Sequence, residues 1–142
     1  MPVRKIPKNY RNITGRIAVS DGSEPKGFES SLERDFLILL DFDITVVRFE
    51  EQPATISYND QEGRARTYTP DVLAFYRTDI PFSRKRVPCL FEVKYREDLK
   101  KGWKEFRPKF KAAIRYAKKR GWKFKIITER GAAPVFLDTD LG

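Results

Sequence analysis

The sequence has no histidine among its 142 residues. That absence excludes a histidine general base, a Ser-His triad and a His-ligated zinc or iron site, and with them many enzyme classes. Cysteine is nearly absent too: the single Cys89 allows no internal disulfide and supplies no cysteine pair for zinc. It lies in the apolar run Cys89-Leu90-Phe91, where burial as a small hydrophobe is expected, and a reducing, cytoplasmic setting fits. No apolar stretch approaches the roughly 18 residues that a membrane span needs. The start, Met1-Pro2-Val3-Arg4-Lys5, leads into no signal-type apolar region. The expectation is a soluble, unprocessed protein with no membrane partner.

Acidic charge is in shorter supply than basic. Against 29 Lys and Arg stand 20 Asp and Glu, a formal charge of +9, which favours a polyanionic partner, nucleic acid first. A lysine-rich solvated surface would show the same balance. What the chain has in quantity is core material: 40% hydrophobic residues, with 11 Phe, 6 Tyr and 2 Trp, suit one domain over 1–142.

Residues 1–27 carry Lys5, Lys8, Arg11, Arg16 and Lys26 among Pro, Asn, Gly and Ser, with neither a helical nor a strand period. They read as a basic arm, able to lie along a DNA backbone or simply to form an exposed terminus. A core follows over 28–130 and a weakly patterned tail over 131–142. A helix is expected from Ser30 to about Asp43, because Ser30-Ser31-Leu32-Glu33 has capping-box spacing and Leu32, Phe36, Leu39 and Leu40 recur on one face. Strands are expected over 44–49, 54–58, 64–68, 72–76, 90–95 and 122–128. The turn chemistry of Asn59-Asp60-Gln61-Glu62-Gly63 makes the second and third a hairpin. Residues 77–88 form a basic loop. Trp103, Phe106, Phe110, Ile114 and Ala117 step at helical spacing with basic residues around them. Pro108 is expected in that helix's first turn, with residues 100–106 a separate turn or short helix and Gly121 the C-terminal cap. This order predicts an α/β fold with one mixed central sheet and helices on both faces.

In Phe91-Glu92-Val93-Lys94-Tyr95 the strand period puts Phe91, Val93 and Tyr95 on one face and Glu92 with Lys94 on the other. Alone, this also describes a solvated strand face. Thr69-Pro70-Asp71 places Asp71 at the start of the buried strand 72–76, where a neighbouring strand could hold Glu92 beside it. Asp71 could equally serve a Pro-Asp turn. Two carboxylates with a lysine two residues beyond the second suit divalent-metal phosphodiester hydrolysis, since hard oxygen ligands hold magnesium and the metal stabilises a crowded phosphate. Glu33 is either a capping-box glutamate or a third carboxylate of the site, with Glu29 one turn earlier as its substitute.

A glutamate on the first helix, Pro70-Asp71 and Glu92-Val93-Lys94 together resemble the PD-(D/E)xK nuclease superfamily. More narrowly, the runs Phe28-Glu29-Ser30-Ser31-Leu32-Glu33-Arg34-Asp35-Phe36, Arg48-Phe49-Glu50-Glu51-Gln52-Pro53 and Tyr68-Thr69-Pro70-Asp71, with Gly121-Trp122 and Thr128-Glu129, resemble the catalytic domain of TnsA. That protein is the endonuclease subunit of heteromeric transposases. The resemblance implies a restriction-endonuclease-like core, dependence on Mg2+ with Mn2+ as a substitute, and cleavage of one strand of double-stranded DNA at transposon ends beside a partner transposase. It gives Glu33, Asp71, Glu92 and Lys94 catalytic roles, with Asp71, Glu92, Glu33 and the Val93 backbone carbonyl as metal ligands. Some members carry glutamine where this chain has Glu92; the acid should strengthen metal binding. Larger members add a C-terminal domain that engages a regulatory ATPase, and docking to that ATPase is not expected of this chain, which stops at Gly142. Arg84, Lys85, Arg86, Lys104, Lys109, Lys111, Arg115 and Lys118 are candidates for phosphate contacts. The alternatives are a stand-alone nuclease of the same superfamily (a resolvase, a restriction-type enzyme or a phage head-completion nuclease) and a non-catalytic basic DNA-binding module. Three carboxylates near phosphate argue against the last unless a cation intervenes.

Overall fold

The computed structural model describes residues 16–17, 26–27, 31–79 and 86–133. Two short strands, β1 (Arg16–Ile17) and β2 (Lys26–Gly27), pair antiparallel. Helix α1 (Ser31–Phe42) buries Phe36, Leu37 and Leu40; the apolar face is centred on Leu40 between Phe36 and Leu37, so Leu39, expected on it, falls off its edge and is exposed. Just past its end, Asp43 accepts hydrogen bonds from the Thr45 N–H at 2.8 Å and the Thr45 hydroxyl at 2.6 Å. This side-chain turn takes up the first residues of the expected strand 44–49, so β3 spans Val46–Glu51 instead.

The hairpin forms as expected, from β4 (Ile56–Asn59) and β5 (Ala65–Tyr68). Its turn is closed by Asp60, whose carboxylate accepts the N–H groups of Glu62 and Arg64 at 3.0 and 2.8 Å, and by Gly63 at φ +79. Next come β6 (Val72–Tyr76), β7 (Cys89–Val93), α2 (Arg96–Lys101), α3 (Trp103–Lys119), β8 (Lys123–Thr128) and β9 (Gly131–Ala133). The central sheet has the order β3-β6-β7-β8-β9, antiparallel throughout except for the parallel pair β7 and β8. This is the mixed α/β architecture of a restriction-endonuclease-like core.

Each face of the sheet has its own core. On one side Phe36, Leu37 and Leu40 of α1 pack on Val46, Phe49, Val72, Ala74, Phe91 and Val93. On the other, Phe110, Ala113 and Ala117 of α3 pack on Leu73, Leu90, Phe124 and Ile126, joined by Ile56 and Tyr68 of the hairpin. Cys89 is buried, and burial pushes its thiol up to about 11, which makes it an inert core residue. Among the described residues no helix is long and apolar enough to cross a membrane.

One helix boundary departs from expectation. The separate short helix is α2, Arg96–Lys101, and α3 begins at Trp103, so Pro108 lies inside it rather than in its first turn. Proline has no N–H for the carbonyl four residues back. That carbonyl, of Lys104, is satisfied from outside by the Gln61 side-chain amide in the hairpin turn. The break between the two helices falls at Gly102, where a Cβ would meet the Phe106 ring at 2.8 Å.

Candidate active site

Asp71 and Glu92 meet where β6 begins and β7 ends. The Asp71 N–H donates to the Phe91 carbonyl at 3.1 Å, the last backbone bond of that ladder. One step further, the Asp71 carboxylate replaces the backbone and accepts the Val93 N–H at 2.8 Å. Asp71 is thereby pinned against the strand end that carries Glu92 and Lys94. Its own carbonyl accepts the Gln52 N–H at 2.9 Å. Gln52 sits at φ +47, a left-handed conformation that costs a non-glycine residue about 1 kcal/mol or more.

The period of two in β7 separates Phe91 and Val93, which enter the α1 core, from Glu92, as the sequence predicts. The strand ends at Val93, so Lys94 and Tyr95, expected within it, lie just beyond, with Tyr95 at the start of α2. Glu92 is only 5% exposed. The Tyr68 hydroxyl donates to its Oε1 at 2.6 Å, and Lys94 Nζ lies 3.8 Å from its Oε2. Burial, reinforced by the negative charge of Asp71, pushes the Glu92 carboxyl up to about 8, against the opposing pull of Tyr68, Lys94 and Lys109. Burial and the same carboxylate raise the Tyr68 hydroxyl well above its ordinary value, so it remains a donor. Lys94 Nζ stands 5.1 Å from the centre of the Phe106 ring, and Lys109 Nζ 5.7 Å from it.

A buried glutamate beside a second carboxylate is a costly arrangement that a cation would relieve. The donors are hard oxygens, which suit magnesium. Among the described residues no three His, Cys, Asp or Glu side chains converge as a ready-made cage. Magnesium does not require one: it usually takes one or two carboxylates and completes its shell with water and substrate phosphate. Asp71 and Glu92 fit that description.

The model for the N-terminal domain of TnsA-like endonucleases matches residues 43–129, more than half of the chain. The chain belongs to the TnsA-like endonuclease family. No curated protein matches it. The matched span holds Asp71, Glu92, Val93 and Lys94 of this TnsA-like domain and leaves Glu33 outside. Glu33 lies half-buried in the first turn of α1. That turn is tied to the site end of β7, since Ser31 Oγ and Tyr95 Oη are 3.0 Å apart and Tyr95 follows Lys94.

The basic candidates of the TnsA-like domain do not form one cluster. Lys94 and Lys104 line a cleft with Lys100, Lys101 and Trp103, and Lys109 adjoins it through Phe106. Lys111, Arg115 and Lys118 follow along α3, and Arg115 lines a second cleft with Thr55 and Ser57 near the hairpin. Arg86 is elsewhere, over the Tyr76 ring at the far end of β6 from Asp71. Arg84 and Lys85 lie outside the described residues.

In the sequence Tyr68 stands only as part of the run Tyr68-Thr69-Pro70-Asp71, with no role of its own, and Phe106 only among the helically spaced residues before Ala117. A signal for Tyr68 exists in the sequence: it is a large aromatic three residues before Asp71, at the end of an expected strand.

Proposed function

We propose that this TnsA-like domain is a metal-dependent endonuclease of double-stranded DNA. The observation that carries the reading is the pairing of Asp71 with Glu92 at one end of the sheet, with Lys94 beside Glu92. Asp71, Glu92 and the Val93 carbonyl would hold Mg2+ or Mn2+, with Glu33 joining directly or through water from the start of α1. When bound, the ion supplies a Lewis acid for the scissile phosphate. The Lys94 ammonium would orient the attacking water and offset charge on the phosphate. Phe106 limits where that ammonium can sit. Lys104 and Lys109 would hold flanking phosphates, and the remaining cations of α3 would extend the track.

Family membership supports a role in transposition, with one strand cut at each transposon end beside a partner transposase. The test is incubation with supercoiled plasmid in magnesium, manganese or EDTA, alone and with a candidate transposase, beside Asp71→Ala. Metal-dependent nicking that vanishes in the variant is expected, and a requirement for the transposase would fix the pathway. Efficient cutting without a partner would select a stand-alone nuclease. An absence of cleavage under every condition overturns the reading and leaves a basic DNA-binding module.

A further inference from the structure

Tyr68 ends β5, a strand whose Ala65, Arg66 and Thr67 are exposed while Tyr68 itself is buried. Its ring meets Phe110 of α3 edge-on, with centroids 6.2 Å apart at 64°. Packing against Phe110 would be served equally by phenylalanine. The hydroxyl does something further, because it crosses to β7 and donates to Glu92 Oε1 at 2.6 Å. A carboxylate has two equivalent oxygens, and a short donor bond on one fixes the direction of the other. Here the other, Oε2, is the oxygen facing Lys94.

The same short segment acts twice. Tyr68 grips Glu92, and three residues later Asp71 accepts the N–H of Val93. Between them Pro70 is fully buried, which limits the freedom of the link. The segment that brings in one carboxylate therefore also orients the second.

We infer that Tyr68 is a positioning residue, whose hydroxyl holds Glu92 in the orientation that serves a divalent cation shared with Asp71. The inference rests on the nuclease reading above. Partners that orient a ligating carboxylate typically alter metal affinity tenfold to a hundredfold when removed.

The test titrates Mn2+ by calorimetry into the whole chain as wild type, Tyr68→Phe, Asp71→Ala, Glu92→Asp and the Tyr68→Phe/Glu92→Asp double variant. Thermal unfolding is followed in EDTA alongside. Tyr68→Phe should weaken Mn2+ binding about tenfold or more while keeping a cooperative transition. It should cost little further in Glu92→Asp, whose shorter side chain leaves the hydroxyl behind. Unchanged affinity in Tyr68→Phe, with binding abolished by Asp71→Ala, overturns this inference and leaves the nuclease reading standing. Equal losses in both backgrounds, or a Tyr68→Phe protein that does not fold, overturn it in favour of a general structural role. No Mn2+ binding by the wild type overturns the metal site itself.

Discussion

The two faces of the central sheet are built differently. The α1 face is covered by an apolar helix whose sequence carries Glu33, Asp35 and Asp41 against one base, Arg34. Near that helix's end Leu39 is 66% and Ile44 73% exposed. The α3 face is covered by a helix with Lys104, Arg107, Lys109, Lys111, Arg115, Lys118 and Lys119 against the single acid Glu105. It also carries the hairpin, and beneath both lies the buried Tyr68–Glu92 bond. The strands between supply an apolar core to each helix, so stability asks the same of each side. Function does not: Glu92, its hydroxyl donor Tyr68 and the basic helix all belong to the α3 face, while the acid buried by α1 is Asp41.

Substitutions test that contrast. The greatest loss should be in stability, and it should fall equally on both sides. Phe110 and Leu37 are both fully buried, so Phe110→Ala should cost about 3–5 kcal/mol and Leu37→Ala about 2–5 kcal/mol in denaturant unfolding. A loss below about 1 kcal/mol on either side would mean that side is not a core.

Next comes Glu92→Gln, which removes the buried charge and keeps an acceptor for Tyr68. In the metal-free fold the Glu92 carboxyl is raised from 4.5 to about 8, so the protonated form is favoured. Its contribution is full below about pH 4.5 and is lost as the pH rises through 8. Glu92→Gln should therefore flatten the fall in stability across that window in EDTA and stabilise the protein by about 1–3 kcal/mol at its upper end. A parallel pH profile in the two proteins would refute the burial argument.

A smaller effect separates the two outer surfaces. Reversing Lys111, Arg115 and Lys118 to Glu should weaken duplex binding about tenfold or more and reduce its salt dependence, whereas Leu39→Ser on the α1 side should leave both unchanged. Equal effects in a salt-titrated binding assay would remove the asymmetry. The smallest effect is local: Gln52→Gly should relieve the left-handed strain and raise the unfolding midpoint by the equivalent of about 0.5–1 kcal/mol.

Much of this design is legible in sequence. The turn at Asp60 and the alternation from Phe91 to Val93 are short-range patterns and appear where they are expected. Helix α1 does too, but with Leu37 buried in place of the expected Leu39, which is exposed. What sequence hides depends on distant partners. Pro108 can sit inside α3 because Gln61, 43 residues from Lys104, satisfies the freed carbonyl. Tyr68 matters through Glu92, 24 residues away. Strand β9 is three residues long and is defined by its register with β8 rather than by any period of its own. Pro70-Asp71 and Glu92-Val93-Lys94 are visible as motifs. That the Val93 N–H bonds to the Asp71 carboxylate, beside the Asp71 N–H bond to the Phe91 carbonyl, and so draws the two motifs together is visible only in the fold.

The most direct test of the site is single-turnover nicking of supercoiled plasmid in magnesium, with and without the transposase, by the wild type, Lys94→Ala and Leu39→Ser. A catalytic role for Lys94 predicts cleavage by the wild type that EDTA abolishes, a loss of about a hundredfold or more in Lys94→Ala, and an unchanged rate in Leu39→Ser. Cleavage by Lys94→Ala at the wild-type rate would contradict it.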